Sequence, residues 1–362
     1  MLHLTTLITS PVASMNKDIN FDFSRLRDQL NTPIVIGGKT ISNRLWLSPM
    51  AGLTHSAFRK VLAHYGSCGL AFTEMCNAKA VPTENPRVSP VFKWQEEELP
   101  SLVCQLAGSS AEELVIAAKR VQREGFFGVD INMGCSARGM IKREAGAALL
   151  KTPDKAVKLA EAVRKAVSIP VFVKFRTGWS RDIAPAVALA KRLEAAGVDC
   201  LVFHPRVAPD KRTRPPIIDH IRSIKEAVSI PVFGNGNVTT PQHCQDMLDT
   251  TGCSGVSVGR MAIAKPWLFA QWLAGDTPDE NVFQEYVLRM AQALEEDFDP
   301  IRAIKRFQMF MVYFAANFRF GHRLQAVFST AKNINDVRML AKEHIKPDMP
   351  LNVTPNMSLL SF

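Results

Sequence analysis

The sequence lacks the features that mark membrane proteins, secreted proteins and metal-stabilised domains. No apolar run reaches the roughly 20 residues that a membrane-spanning helix needs. The seven cysteines are scattered, with no CxxC pair and no cysteine–histidine cluster, so we expect neither disulfides nor a metal site. The first 15 residues contain neither the charged start nor the long apolar core of a signal peptide. These absences predict a cytoplasmic protein that binds no membrane and no metal.

The composition is that of an ordinary globular protein, with 47% hydrophobic and 22% charged residues among 362. A chain of this size buries about three quarters of its extended surface on folding, so it needs no disulfide or metal ion for stability. The length accommodates one large domain and one smaller domain.

Short apolar runs alternate with longer amphipathic stretches through the first three quarters of the chain. Nearly continuous hydrophobicity is typical of parallel strands that are covered on both faces. No GxGxxG follows the first run, as an open doubly wound sheet would favour. Eight strands, most of them followed by a helix, predict an α/β fold, a (β/α)8 TIM barrel. The predicted strands are 45–50, 69–74, 102–108, 128–134, 171–178, 200–206, 231–237 and 255–260.

The strand pattern stops after the eighth run, and the rest of the chain has helical periodicity up to about residue 347. This change predicts a C-terminal all-helical domain. The predicted organisation is an N-terminal extension over 1–35, a barrel over 36–275, a helical domain over 276–347 and a loose tail over 348–362.

Positive charge is concentrated in the predicted helical domain. The chain has a formal charge of +10, and residues 301–346 carry nine cations against two anions. A concentrated basic face favours a polyanionic partner, most often nucleic acid. The alternative is a solvated helix surface that is basic without function. The candidate phosphate contacts are Arg302, Lys305, Arg306, Arg319 and Arg323. Because five residues on helices cannot all face one way, we expect two or three of them to be engaged.

The predicted barrel places its chemistry at the C-terminal ends of its strands, where polar residues interrupt the apolar runs. Asn235, Gly236 and Asn237 follow the seventh strand, and Gly259 and Arg260 follow the eighth. Barrels commonly hold a phosphate between these two loops, where glycines let backbone amides approach an anion. The alternative is a pair of ordinary turns that need glycine for their geometry.

Two basic residues lie in or at the end of apolar strands. Lys174 falls within VFVKF, where a charge is costly unless it has a partner. Facing the barrel mouth, it would meet an electron-rich ring or a developing anion; facing outward, it would only reach solvent between helices. His204 ends the sixth strand, where it donates a hydrogen bond to a ligand or serves as a structural histidine. Gln105 lies near the end of the third strand, and Arg176 follows Lys174 near the end of the fifth.

Cys135 lies in the polar loop after the fourth strand, three residues beyond Asn132. An ordinary thiol is mostly protonated at pH 7 and can act as an acid. It can also act as a nucleophile. The residue and its position leave both roles open.

Several segments, in order and spacing, resemble those of the bacterial tRNA-dihydrouridine synthases. The resemblance covers about residues 36–345, and GVDINMGC and the GR-x5-PW pattern are its more specific parts. The matching segments are SPMAGLTHSAFR (48–59), GLAFTEM (69–75), GVDINMGC (128–135), AGAALL (145–150), GNGNV (234–238) and VSVGRMAIAKPWLF (256–269).

The resemblance implies a monomeric, FMN-dependent enzyme that reduces the C5–C6 double bond of uridine in tRNA with NADPH or NADH. It implies that Cys135 is the general acid that protonates C5, while Asn132 and Arg176 hold the uracil. Lys174 would stabilise negative charge on the reduced flavin. The FMN-binding residues that it implies are Pro49, Met50, Ala51, Gln105, Lys174, His204, Asn235, Gly236, Asn237, Gly259 and Arg260.

The sequence departs from the family pattern at two places. Ser136 follows the cysteine where the family usually has proline, and Pro205 follows the histidine where the family has glycine. Lys211, Arg212 and Arg214 add charge to the second loop. Two other functions stay open: an FMN barrel reductase acting on a small molecule, and a barrel-derived RNA-binding module without activity.

Overall fold

A computed structural model describes residues 21–66, 68–208, 210 and 214–356. A nine-stranded parallel sheet closes on itself, because β4 pairs with both β3 and β6, while β5 pairs only with β6. A separate antiparallel hairpin, β1–β2, precedes it. The strands are β1 Ile34–Ile36, β2 Lys39–Ile41, β3 Leu45–Leu47, β4 Ala71–Phe72, β5 Cys76–Asn77, β6 Leu102–Ala107, β7 Gly128–Met133, β8 Val171–Gly178, β9 Cys200–Val207, β10 Val232–Asn235 and β11 Gly255–Val258.

Helices surround the closed sheet and then continue as a helical C-terminal region, which confirms the predicted (β/α)8 barrel with helices after it. Each of the eight predicted strands overlaps a barrel strand. The α-helices are α1 Phe23–Leu30, α2 Ser56–His64, α3 Ala111–Arg123, α4 Arg138–Lys142, α5 Pro153–Ala166, α6 Ala184–Ala195, α7 Asp219–Ala227, α8 Pro241–Thr251, α9 Arg260–Ala264, α10 Leu268–Leu273, α11 Val282–Asp297, α12 Pro300–Ala315, α13 Gly321–Ser329 and α14 Ile334–His344.

The barrel helices bury one face, and some of them begin at a side-chain cap. In α3, the Ser110 hydroxyl accepts a hydrogen bond from the Glu113 backbone amide, as an N-cap residue does. Leu114, Ala117 and Val121 are fully buried, and their spacing of three and four residues places them on one face. α8 begins at a similar cap, Thr240, whereas α5, α6 and α7 have no side-chain cap and each buries one apolar face.

Aromatic side chains fill the barrel interior below the mouth. Trp46 stacks on Phe233 and lies edge-on to Phe172, while Phe72 packs on Phe172. All four side chains are fully buried. Because this layer leaves no room for a ligand, a binding site inside the barrel has to lie nearer the C-terminal ends of the strands.

The helical C-terminal region docks on the barrel just after β11. The Tyr286 hydroxyl donates to the Ile263 carbonyl at 2.8 Å, and the Asn317 side-chain amide donates to the Ala264 carbonyl at 2.9 Å. Phe310 and Phe314 complete a buried aromatic cluster around Tyr286. The last barrel helix, α9, is thereby tied to α11 and to the end of α12.

Both ends of the described chain are more ordered than the sequence predicted. In the segment expected to be an extension, α1 buries Leu26 and Leu30, and Arg25 pairs with Asp249 at 2.6 Å. In the segment expected to be a loose tail, Asn352 donates to the Asn317 carbonyl at 2.7 Å. Residues 1–20 and 357–362 of these two predicted segments lie outside the described residues. No helix in the described ranges is long and apolar enough to cross a membrane.

Candidate active site

Two adjoining cavities of about 470 and 280 Å³ open at the C-terminal ends of the barrel strands. Every site residue that the sequence predicted lines at least one of them. Those residues are Pro49, Met50, Ala51, Gln105, Asn132, Cys135, Lys174, Arg176, His204, Asn235, Gly236, Asn237, Gly259 and Arg260.

The larger cavity ends at the predicted phosphate loops. The Asn237 side-chain oxygen accepts hydrogen bonds from Arg260 at 2.7 Å and from Arg206 at 2.9 Å. Gly236 has a φ of 132°, which a side chain would strain, and a Cβ there would lie 3.2 Å from the His204 ring. Two guanidinium groups beside a turn that requires glycine form an environment that suits a dianion.

Asn235 organises the centre of the site. Its side-chain oxygen accepts hydrogen bonds from Lys174 Nζ at 3.1 Å and from His204 Nδ1 at 2.9 Å. Its amide nitrogen donates to the Ser257 carbonyl at 2.7 Å and to the Ser48 hydroxyl at 3.1 Å. Since the nitrogen faces two acceptors, the oxygen must face the lysine and the histidine, and His204 therefore carries a proton on Nδ1.

Burial controls the charge of both basic partners of Asn235. Burial, followed by the charges of Lys174, Arg176 and Arg206, holds the pKa of His204 well below its usual value. The imidazole is therefore neutral at pH 7. Burial, together with the Arg176 charge, lowers the pKa of Lys174 to about 8. Lys174 keeps its proton at pH 7, and its positive charge favours an anion in the cavity.

A chain of side-chain hydrogen bonds runs through the smaller cavity. Gln105 donates from Nε2 to Asp130 at 2.6 Å, and its oxygen accepts from Asn132 Nδ2 at 2.9 Å. The Asn132 oxygen accepts from the backbone amides of Gly134 and Cys135 at 3.1 and 2.9 Å. The loop that carries the candidate catalytic thiol is thus attached to the barrel interior through two amide side chains.

Cys135 is half-buried and lines both cavities. Its carbonyl accepts a hydrogen bond from the Ala147 amide at 2.8 Å, which fixes the second side of the loop. Among the other six cysteines, only Cys68 is not fully buried. Cys135 is therefore the thiol that a ligand in the cavities meets.

The structure adds residues to the site that the sequence reasoning missed. Tyr313 of α12 lines both cavities, and Ser48, Ser257 and Arg206 line the larger one. Little in the sequence marks these residues as part of a site, since a serine in a strand and a tyrosine in an aromatic-rich helix are both common core residues. Nothing local in the sequence brings α12 over the barrel mouth.

The structure excludes one of the five candidate phosphate contacts. Arg306 lies inside the junction between barrel and helical region, where it pairs with Glu74 at 3.0 Å, and only 12% of its side chain is exposed. Arg302 pairs with Asp299 at 2.9 Å. Arg214 pairs with Asp210, whereas Lys211 and Arg212 lie outside the described residues.

Solved structures share the fold with this chain. Histamine dehydrogenase from Rhizobium sp. 4-9 superposes with a TM-score of 0.53 at 16% identity; the match covers 74% of this chain but only 51% of that one. TcOYE with pHBA superposes with a TM-score of 0.53 at 15% identity, over 74% of this chain and 98% of the other. At these identities the likeness establishes the barrel alone.

Curated relatives are more similar in sequence. tRNA-dihydrouridine synthase B of Pseudomonas putida is 38% identical over 236 residues, which are 65% of this chain and 69% of the relative. A probable tRNA-dihydrouridine synthase of Rhodobacter capsulatus is 38% identical over 258 residues, 68% of this chain and 78% of the relative. The sequence model of the dihydrouridine synthase (Dus) family matches residues 46–346. As its motifs predicted, the chain belongs to the dihydrouridine synthase family of flavin-dependent oxidoreductases.

Proposed function

We propose that this protein reduces specific uridines in tRNA to dihydrouridine, with FMN in the barrel mouth and NADPH, or NADH, as the reductant. One observation carries the proposal. The adjoining cavities bring together a site suited to a phosphate, a buried lysine and an accessible thiol, around one space at the barrel mouth. A hydride donor and a proton donor are the two groups that reduction of a carbon–carbon double bond requires.

The residues present fit FMN at both of its ends. Arg260, Asn237 and the turn at Gly236 suit the phosphate dianion. Lys174 and Gln105, with the loop at 49–51, line the space for the ring. When bound, the flavin supplies the hydride that C6 of the uracil receives. The positive charge of Lys174 favours the negative charge of a reduced ring.

Cys135 supplies the proton in this scheme. As C6 gains a hydride, C5 must gain a proton, and the thiol donates it as a general acid. The resulting thiolate regains a proton from solvent, because the residue is only half-buried. Asn132 holds the loop with its oxygen and Gln105 with one of its N–H groups, which leaves one N–H to orient the uracil.

tRNA fits the rest of the molecule as the substrate. A stacked or paired uridine must leave its helix to reach the cavity. The exposed cations of the helical region, Lys305, Arg319 and Arg323, offer phosphate contacts that stabilise the complex, and such contacts weaken as salt increases.

The test is a pair of half-reactions on purified, FMN-loaded protein. Flavin bleaching by NADPH under anaerobic conditions measures the first, and mass spectrometry of unmodified tRNA transcripts measures dihydrouridine. We expect Cys135→Ala to keep the first and to lose the second by about 100-fold, as is typical when a general acid is removed. Cys68→Ala, at the other partly accessible cysteine, should keep both.

Other outcomes point to the alternative functions. Parent-level dihydrouridine from Cys135→Ala would contradict the role of the thiol. A protein that binds FMN and reduces an enone, but never tRNA, would be a small-molecule reductase. Binding of tRNA without any retention of flavin would identify an RNA-binding module.

A further inference from the structure

Asp130 is a buried carboxylate to which the proposed reaction gives no task. It lies in the middle of β7, its side chain is fully buried, and it is two residues before Asn132 and five before Cys135. Burying a carboxylate costs free energy unless its hydrogen bonds compensate. Its side chain accepts a hydrogen bond from Gln105 at 2.6 Å, which makes it the inner end of the chain that leads to the Cys135 loop.

The backbone amides of the Cys135 loop determine the direction of each side-chain hydrogen bond between the loop and Asp130. The backbone amides of Gly134 and Cys135 can only donate, so the oxygen of Asn132 must face them. Its nitrogen then faces the oxygen of Gln105. The nitrogen of Gln105 must therefore find an acceptor, and the acceptor is Asp130.

A carboxylate at the inner end favours only this direction. An ionised carboxylate accepts and never donates, so it holds the Gln105 amide with its nitrogen inward. Without an acceptor at position 130, the side-chain amide of Gln105 can flip. The side-chain amide of Asn132 can then flip as well, which turns its nitrogen towards the loop amides. Two donors facing each other would release the loop.

We propose that Asp130 is a positioning residue, which fixes the backbone at Gly134 and Cys135 through Gln105 and Asn132 and thereby holds the thiol in place. The proposal rests on the proposed function for the importance of the thiol, but the loop order that it describes can be measured without catalysis. The positioning role gives a function to the buried charge of Asp130, which is costly in free energy. This charge lies in the interior of the barrel and not in the cavity wall.

The first experiment measures loop order directly, in the full chain with and without FMN. Hydrogen exchange of the Gly134 and Cys135 amides, and alkylation of Cys135, are followed by peptide mass spectrometry. Asp130→Leu removes the acceptor and should speed both reactions about tenfold, the effect of one lost hydrogen bond. Asp130→Asn keeps an acceptor oxygen of the same shape and should stay closer to the parent than to the leucine variant.

Matched variants test whether the effect passes through Gln105. Gln105→Leu breaks the same chain and should speed exchange as much as Asp130→Leu does. In the double variant the two effects should not add, because contacts in one network are coupled. Asp199→Asn is the control, since Asp199 caps the opposite end of the barrel, where it accepts from Arg164 at 2.6 Å and from the Val171 amide at 2.7 Å. It should leave exchange at the loop unchanged.

The outcomes separate this proposal from the proposed function. Unchanged exchange at Gly134 and Cys135 in both leucine variants, or full additivity in the double variant, would overturn the positioning role. If Asp130→Leu fails to fold, Asp130→Ala takes its place, with the same expected result and the same criterion. A loop that responds as expected in a protein inactive on tRNA would uphold the positioning role and reject the reaction. In an active enzyme, Asp130→Leu should lower kcat for tRNA about tenfold with KM unchanged.

Discussion

At the residue scale, the polar atoms of the site have few possible partners. Asn235 meets two acceptors on one side and two donors on the other, and this pattern fixes the tautomer of His204. The sequence predicted that Lys174 and His204 lie at strand ends, because strand ends follow from hydrophobic runs. It did not predict that both bond to the same carboxamide, since that depends on the pairing of β8, β9 and β10.

A first prediction at this scale concerns the phosphate loop. Arg260→Gln should weaken FMN binding by about 1.5–3 kcal/mol, because a charge-assisted hydrogen bond to a dianion is lost. The dissociation constant, measured by flavin fluorescence on the apoprotein, would then increase about 10- to 100-fold. The matched control is Arg222→Gln on the outer helix α7, where the arginine is exposed, pairs with Asp219 and donates to the Thr250 carbonyl. Equal affinities of both variants would remove Arg260 from the phosphate site.

A second prediction follows from the buried carboxyl group. Burial raises the pKa of Asp130 from an ordinary 3.8 to about 6. The folded protein therefore binds a proton more tightly than the unfolded chain between these values, and ionisation of Asp130 costs stability above them. Asp130→Asn cannot ionise, so above pH 6 it should be more stable than the parent. The advantage should disappear as the pH falls towards about 4.

Thermal denaturation of both proteins across this pH range tests the sign of the effect. Asp199→Asn should instead lower the Tm, because it weakens the ion pair with Arg164. A stability difference between Asp130→Asn and the parent that widens at low pH would contradict the burial argument.

At the scale of elements, a break in the second barrel strand joins the helical region to the cavity. Residues 73–75 separate β4 from β5, and there Glu74 accepts a hydrogen bond from the Gly52 amide and pairs with Arg306 of α12. Arg306 also donates to the Pro90 carbonyl at 2.7 Å. Gly52 has a φ of 77°, and a Cβ there would overlap Met309 of α12. The loop that lines the cavity, the barrel and α12 are thus held by one buried ion pair.

This junction yields a third prediction. Glu74→Gln or Arg306→Met alone should lower the free energy of unfolding by about 3–5 kcal/mol, because each leaves a buried charge without its partner. The double variant should lose less than the sum, since no unpaired charge remains. Arg302→Met, at an exposed pair on the same helix, should change stability by about 0–1 kcal/mol. Chemical denaturation, with flavin release as a second signal, measures all four.

If Glu74→Gln and Arg306→Met each lower the free energy of unfolding as little as Arg302→Met does, the Glu74–Arg306 pair is accessible to water. Additive losses in the double variant would show that the two residues act independently.

The elements themselves were largely predictable, and the exceptions have physical reasons. Eight apolar runs became the eight barrel strands because parallel strands need hydrophobic residues on both faces. β5 has only two residues and no run of its own. α1 has only two buried residues, Leu26 and Leu30, in eight, too short a pattern to establish a period. The segment at 350–356 is held by backbone hydrogen bonds to residues 316–319, just beyond α12, which composition does not reveal.

At the scale of the whole molecule, α12 presents two different faces. Arg306, Met309 and Tyr313 lie three and four residues apart and face the barrel mouth, as helix spacing allows. Lys305 is exposed beside them, and Arg319 and Arg323 are exposed beyond the end of the helix. None of these three makes an ion pair with an acidic side chain within the described ranges. The charge pattern alone could not separate Arg306 from these exposed cations, because its partner Glu74 lies 232 residues away in the sequence.

The fourth prediction is that Lys305, Arg319 and Arg323 contact tRNA phosphates while Arg306 does not. Each engaged cation contributes about 0.7–0.9 to the slope of log K against log salt. Replacing all three by glutamine should therefore flatten the slope by about two units, with NADPH-driven flavin bleaching unchanged, because that step takes place in the barrel. Binding of unmodified tRNA is measured for parent and variant across a salt series.

The control removes the same amount of charge from the outside of the barrel, where Lys119, Lys158 and Lys191 are exposed on α3, α5 and α6. If tRNA approaches the barrel mouth from the helical region, this control keeps the parent slope, because outer helices lie away from the path of the RNA. Equal flattening in both triple variants would mean that net charge alone attracts the tRNA. An unchanged slope in the Lys305, Arg319 and Arg323 variant would show that this face is merely solvated, and that the phosphates are bound elsewhere on the molecule.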